Sequence, residues 1–107
     1  MDVNELYQWK DRIEKRKDLE HMLAEKHIVI HFYDDQDIVG VIVDGKVIEI
    51  FEHEQQHPNV TIHAQFPVLQ NIWNGNKRLL TLPEQSLQAK GQFRDLLFVE
   101  ALFHLAS

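Results

Sequence analysis

The spacing of apolar residues changes repeatedly along this chain, and each change predicts an element. Leu6, Trp9, Ile13, Leu19, Met22 and Leu23 recur at helical intervals through a charged opening segment that runs to about Lys26, with Asp2 and Glu5 placed as a capping box. This predicts an amphipathic opening helix. From His27 to Tyr33 the pattern alternates, with Ile28, Ile30 and Phe32 on one face and Val29, His31 and Tyr33 on the other, as in a strand. A polar turn over residues 34–37 leads into IVGVIV, then Asp44-Gly45, then KVIEIF. A two-residue Asp-Gly loop between apolar runs predicts a hairpin, because both central positions tolerate positive φ. After a polar loop around Gln55 and Pro58 comes NVTIHA, a further alternating strand with Val60, Ile62 and Ala64 on one side.

A short helix is predicted from Phe66 through Trp73, with Pro67 in its first turn, Leu69, Ile72 and Trp73 as its apolar face, and Gly75 as a left-handed cap. Residues 76–85 read as irregular, with a turn near Pro83. SLQAKG gives a last strand with Leu87 and Ala89 inward and Gln88 and Lys90 outward, and helix resumes over residues 92–106. The outward strand positions, His31, Glu49, Thr61, His63 and Lys90, predict a sheet with one wet face and helices on the other. The fold class is α+β, a five-stranded, mostly antiparallel sheet with helices packed on one face, in a single domain over residues 1–107.

The closing helix carries an excess of apolar surface. Between Leu96 and Leu105 only Glu100 and His104 are polar. Leu96, Val99 and Phe103 form one stripe, and Leu97, Phe98, Ala101, Leu102 and Leu105 form a second beside it. A helix packed on a sheet needs only one apolar stripe, so something else is expected to cover the other. The candidates are the remaining helices, a second copy of the chain or another docking partner, and an apolar ligand.

Composition narrows the function classes. The 107 residues are 44% apolar and 26% charged, which is ordinary for a globular domain. A net charge of −6 disfavours binding to nucleic acid, which rests on Lys and Arg replacing counterions. The run Lys15-Arg16-Lys17 is flanked by Glu14, Asp18 and Glu20 and reads as a solvated helix face. With no cysteine there are no disulfides, thiolate ligands or thiol nucleophiles, and a reducing, cytoplasmic home is expected. No export signal or membrane span is read from the sequence.

The hairpin IVGVIVDGKVIEIF, the strand and short helix NVTIHAQFPVLQNIWNG, and the closing SLQAKGQFRDLLFVEALFHL together resemble the sterol carrier protein type 2 family. Thr61 and Ile62 match its "aspartate or asparagine, x, threonine, isoleucine" strand. Gly75 matches the cap of its short helix, and Leu87 with Gly91 match its last strand and the turn into the closing helix. The resemblance implies a tunnel between sheet and helices for a fatty acyl chain, isoprenoid or sterol-like lipid, with no catalysis and no cofactor. The implied lining is Leu69, Ile72, Trp73, Leu97, Phe98, Ala101, Leu102 and Leu105. The chain departs from the family pattern at Gln85-Ser86, where a glycine-lysine pair is usual, and in the crossing KRLLTLPEQ, which lacks an alanine-phenylalanine segment. It ends in Leu-Ala-Ser rather than a peroxisomal signal.

Catalytic alternatives are weaker. His53-Glu54-Gln55-Gln56-His57 matches HExxH, the motif of zinc hydrolases, and His63 falls at the spacing of a third ligand. The longer motif needs glycine where Val60 stands and a methionine turn downstream, but Met1 and Met22 lie upstream. A strand before His53 and Pro58 just after also oppose the required helix. The only serines, Ser86 and Ser107, sit in no nucleophile elbow. Asp34, Asp35 and Asp37 lack the glycine and terminal glutamate of a calcium loop. No glycine-rich loop follows a strand, so phosphate cofactors are not indicated. The sequence therefore predicts no metal and no catalytic residue.

Overall fold

The computed structural model describes residues 1–53 and 57–106. Its five strands are β1 (His27–Tyr33), β2 (Ile38–Asp44), β3 (Val47–Phe51), β4 (Val60–Ala64) and β5 (Leu87–Gly91), in the spatial order β3-β2-β1-β4-β5. All neighbouring pairs are antiparallel except β1 and β4, which run parallel. The helices are α1 (Asn4–Lys15), α2 (Glu20–Leu23), α3 (Phe66–Trp73) and α4 (Phe93–Leu105). Alternation along the strands sends Ile28, Ile30, Phe32, Val39, Val41, Val43, Val60 and Ile62 into the core, each at most 3% exposed.

The hairpin forms, with its loop one residue later than expected. Asp44 still pairs with Val47, so the central residues are Gly45 and Lys46, and of these only Gly45 has positive φ, at 60°. One glycine is enough for a loop that needs a left-handed residue only at its first central position.

The opening helix is not continuous to Lys26. It ends at Arg16, whose extended ψ of 98° breaks the hydrogen-bond ladder, and a 3₁₀ turn (Lys17–Leu19) and α2 follow. Arg16 is held there by Asp18, at 2.8 and 2.7 Å, and donates to the carbonyl of Leu105 at 2.6 Å. The capping box does not form either. Val3 occupies the N-cap position, and Asp2 instead accepts from the backbone N–H of Asn4 at 2.9 Å.

What α1 does for the fold is close the C-terminal ends of the other helices. The last carbonyls of a helix have no partner within it. Arg12 Nε donates to Ala106 O and Arg12 Nη2 to Trp73 O at 3.1 Å, while Trp9 Nε1 reaches Leu102 O at 3.3 Å. One guanidinium thus joins the ends of α3 and α4. Arg12→Ala is expected to cost about 2–3 kcal/mol in chemical denaturation, since charged hydrogen bonds contribute about 1.5–3 kcal/mol and the carbonyls lose their donor. Arg12→Lys should recover only part, because one ammonium cannot reproduce the two-pronged geometry.

The interior between sheet and helices is filled by aromatic rings. Trp9 stacks on Phe103 at 4.2 Å, Phe103 meets Phe32 edge-on at 5.7 Å, and Phe32 meets Trp73 edge-on at 5.5 Å. All four are at most 2% exposed.

The other face of the sheet is not uniformly wet. Glu49, His63 and Lys90 are exposed as expected, but His31 is 0% and Val29 8% exposed. β1 is the central strand, and His31 lies between Gly40 of β2 and Thr61 of β4. Its ring meets Tyr33 edge-on at 5.9 Å, with Nδ1 at 3.2 Å from the Tyr33 hydroxyl. Val29, Ile38, Ile42 and Phe51 share this face by register, a sequence signal that it carries apolar content of its own.

Candidate functional site

The crossing between α3 and β5 was irregular in sequence, yet the structure folds it tightly. Gly75, at φ 81°, ends α3, and the chain then makes a 3₁₀ turn over Leu79–Thr81. Thr81 donates to Arg78 O through both its backbone N–H, at 3.2 Å, and its hydroxyl, at 2.8 Å. Pro83 O accepts from the N–H groups of Ser86 and Leu87 at 2.9 and 3.1 Å, which turns the chain into β5. Glu100 of α4 fastens this segment from the side: Oε2 accepts from the Leu80 N–H at 2.9 Å and Oε1 pairs with Arg78 at 3.3 Å. In sequence Glu100 marked only the polar stripe of an apolar helix. Its side chain is 10% exposed.

Between this crossing and β5 lies a groove of about 440 Å³, lined by Leu79, Leu80, Leu82, Leu87 and Ala89, with Glu84, Gln88 and Lys90 also contributing. Its volume falls within the roughly 300–1,000 Å³ of small-molecule sites. β5 is an edge strand, so the groove opens along the free side of the sheet. Leu79 and Leu87 are both groove wall and members of the packed core, so the groove backs directly onto the interior.

The eight residues expected to line a ligand tunnel are placed in three ways. Leu69, Ile72, Trp73 and Leu102 are buried in the packed interior, and Phe98 and Ala101 are half-buried. Leu97 and Leu105 are each 44% exposed on the outside of α4. None of the eight lines the groove. The helix buries Val99, Leu102, Phe103 and Ala106, a seam at i, i+3, i+4 and i+7 that cuts across both stripes read from the sequence. Leu79, Leu80 and Leu82 were missed as site residues because the crossing has no periodicity to read, while Leu87 and Ala89 of β5 were read only as inward strand positions.

A second, polar hollow of about 250 Å³ lies at the end of β1 and β4, among Tyr33, Asp34, Asp35, His63, Glu84 and neighbours. Tyr33 stacks on His63 at 4.6 Å. Desolvation opposes the charge of Asp34, but the N–H groups of Gln36 and Asp37, donating at 2.8 and 2.7 Å, outweigh it and hold its carboxyl below the usual carboxylate range. The stability this turn gains from the ionised form is therefore present at neutral pH and lost as pH falls through that lowered value.

The central residues of the HExxH match, 54–56, lie outside the described residues. His53 and His57 are exposed, and His57 has φ 56°, outside the helical region. Among the described residues no group of three His, Asp or Glu side chains could hold a metal ion, and no helix is long and apolar enough to cross a membrane.

No protein-family model matches the sequence, and no curated protein is similar to it. Solved structures match in fold. The UbiJ-SCP2 ubiquinone synthesis protein superposes with a TM-score of 0.75 at 13% identity, over 94% of this chain and 85% of that one. Palmitated SCP2L2 from Aedes aegypti gives a TM-score of 0.68 at 15% identity, over 97% and 96% of the two chains. A crystal structure of sterol carrier protein 2 gives 0.60 at 14%, over 95% and 89%. The architecture is that of sterol carrier protein type 2 domains.

Proposed function

We propose that this chain, built on the sterol carrier protein type 2 fold, binds a single apolar lipid chain, acyl or isoprenoid, without transforming it. The observation that carries this is the groove whose walls are Leu79, Leu80, Leu82, Leu87 and Ala89, edged by charged and amide groups, at the free side of β5. Apolar walls give a hydrocarbon tail a place out of water, worth about 25 cal/mol per Å² of apolar surface removed. Lys90 and Gln88 at the edge offer donors to a carboxylate or other polar head. The palmitated relative and the ubiquinone synthesis protein carry names that fit such cargo. A tail that penetrated further, toward Leu69, Ile72, Trp73 and Leu102, would have to displace Leu79 or Leu87, which separate the groove from the interior.

A fluorescent fatty acid titrated in solution without vesicles tests this reading. Saturable binding at one site per chain is the expected result, with Leu82→Asp weakening it about tenfold or more, because a carboxylate then faces the tail. Non-saturable binding, or equal affinity for Leu82→Asp, would overturn the groove as the site. Organic extraction of purified protein followed by mass spectrometry is expected to recover the natural occupant.

A further inference from the structure

Two tryptophans lie in the core, and only one has a hydrogen-bond partner for its indole. Trp9 Nε1 donates to Leu102 O at 3.3 Å, whereas Trp73 Nε1, on a side chain 0% exposed, meets no acceptor among the described residues. Buried donors are nearly always paired, because a donor taken out of water without an acceptor destabilises the fold. The rings that meet Trp73 edge-on, Phe32 at 5.5 Å and Phe66 at 6.2 Å, offer carbon alone. A water molecule is a poor substitute there, since a buried water needs several polar partners and these rings supply none. The carbonyls at the helix ends are directed at other donors: Trp73 O and Ala106 O at Arg12, and Leu102 O at Trp9. Glu5 Oε2 is also buried without a partner, but its side chain is only half-buried, in the first turn of α1.

We infer that the indole N–H of Trp73 is the inner hydrogen-bond donor to the ligand, which carries an uncharged acceptor oxygen, as in an ester, ketone or alcohol, on the part that passes the groove wall. This rests on the lipid-binding reading and narrows the cargo from a plain hydrocarbon tail to one with an oxygen along it. Trp73, Leu79 and Leu87 belong to one contiguous core, and the last two also form the wall of the groove. Leu87 is fixed in the ladder opposite Ala64, whereas Leu79 stands on a single 3₁₀ turn fastened by Glu100 through Leu80 and Arg78. The turn is thus the part of the wall that can give way, since it has no ladder of hydrogen bonds behind it. A tail that displaces Leu79 enters the core that holds the indole.

Charge sets the kind of oxygen. One neutral N–H does not hold a carboxylate out of water, and Arg12, the cation that reaches α3, directs its Nε and Nη2 at backbone carbonyls. An ionised head therefore stays at the rim of the groove with Lys90 and Gln88, and the inner acceptor is neutral.

The test compares methyl decanoate with decane, which has a similar chain and no oxygen, on the full chain. In nitrogen–proton correlation spectra the Trp73 indole proton is expected to move downfield with methyl decanoate and not with decane, while that of Trp9, already bonded to Leu102 O, does not make this move. Trp73→Phe keeps an aromatic ring and removes the donor. Displacement of the fluorescent fatty acid then gives both affinities, and their ratio, ester over hydrocarbon, is expected to fall about fivefold in the variant, the worth of one neutral hydrogen bond. A general loosening of the core would weaken both probes alike and leave the ratio unchanged, so an unchanged ratio overturns the inference. An unmoved Trp73 resonance in the wild-type chain saturated with methyl decanoate also overturns it, because the N–H then stays against the rings of Phe32 and Phe66. Either result beside saturable binding of the fluorescent fatty acid leaves the lipid-binding reading standing; a wild-type chain that binds none of the three probes ends both.

Discussion

Phe103→Ala is expected to lower the unfolding free energy by about 3–5 kcal/mol, the range for removing a buried aromatic ring from a packed core. Phe103 is 2% exposed and joins the two halves of the interior: its ring stacks on Trp9 of α1 at 4.2 Å and meets Phe32 of β1 at 5.7 Å. Truncation leaves a void bounded by Trp9, which is anchored to Leu102 O and cannot readily collapse into it. Urea denaturation followed by tryptophan fluorescence measures the loss, because Trp9 and Trp73 both lie in this cluster. A loss below about 1 kcal/mol with an unchanged denaturant slope would show that the space between sheet and helices is not packed as described. The experiment thus also decides between a filled interior and a tunnel. A hollow interior has little packing to lose. If Phe103→Ala opens room instead, added fatty acid should restore part of the midpoint by binding the folded state.

Gly91→Ala is expected to be nearly as damaging, at about 2–4 kcal/mol, for a backbone reason. Gly91 has φ 154°, and a Cβ there would lie 2.6 Å from Asn59 O and 3.2 Å from Val60 Cγ2. The closest obstacle is backbone, at the residue just before β4, so relief requires β4 and β5 to separate where Val60 pairs with Gly91. Because Gly91 leads directly into α4, that shift would also move the helix relative to the groove. Gly45→Ala is the matched control: φ is positive there too, but nothing lies within 4 Å, so only conformational strain of about 1–2 kcal/mol is expected. Denaturation midpoints of the two variants compare them directly. Equal losses would show that the close approach to Asn59 does not constrain Gly91.

Local pattern decided much of the fold in advance. β1 and α3 run over the very residues that alternation and helical spacing marked, because each is short and its spacing is unbroken from end to end. The hairpin was announced by one glycine between β-branched runs, although the side that Lys46 takes in the loop was not. The opening helix was misjudged because Leu19 and Leu23 belong to the same core as Leu6, Trp9 and Ile13 and so continue the apolar pattern past the break at Arg16. Periodicity records which side of the chain meets the core; it does not record whether the backbone between two buried residues stays helical. At the break Arg16 is held by Asp18 nearby and by the carbonyl of Leu105, far away in sequence.

The candidate site divided along the same line. That α4 has more apolar surface than one packing partner needs is written in residues 96–105, and Phe93, Leu97 and Leu105 do remain exposed. Which part of that surface would be buried was not written there. Both stripes are apolar, so the sequence offered no contrast between them, and the seam Val99, Leu102, Phe103 and Ala106 was selected by the rings and carbonyl partners that Trp9, Arg12 and Phe32 bring from other elements. The groove at β5 is further from the sequence still, since one of its walls is an aperiodic crossing, held against β5 by Glu100. By itself the sequence determined the five strands, the helices α3 and α4 and the excess of apolar surface on the last helix, because those follow from the spacing of residues along one chain segment. Only the tertiary structure decided that Trp9, Phe32, Trp73 and Phe103 meet in the interior, that the groove lies at the sheet edge, and that one ridge of α4 is left facing outward, because each depends on which distant side chains arrive there first.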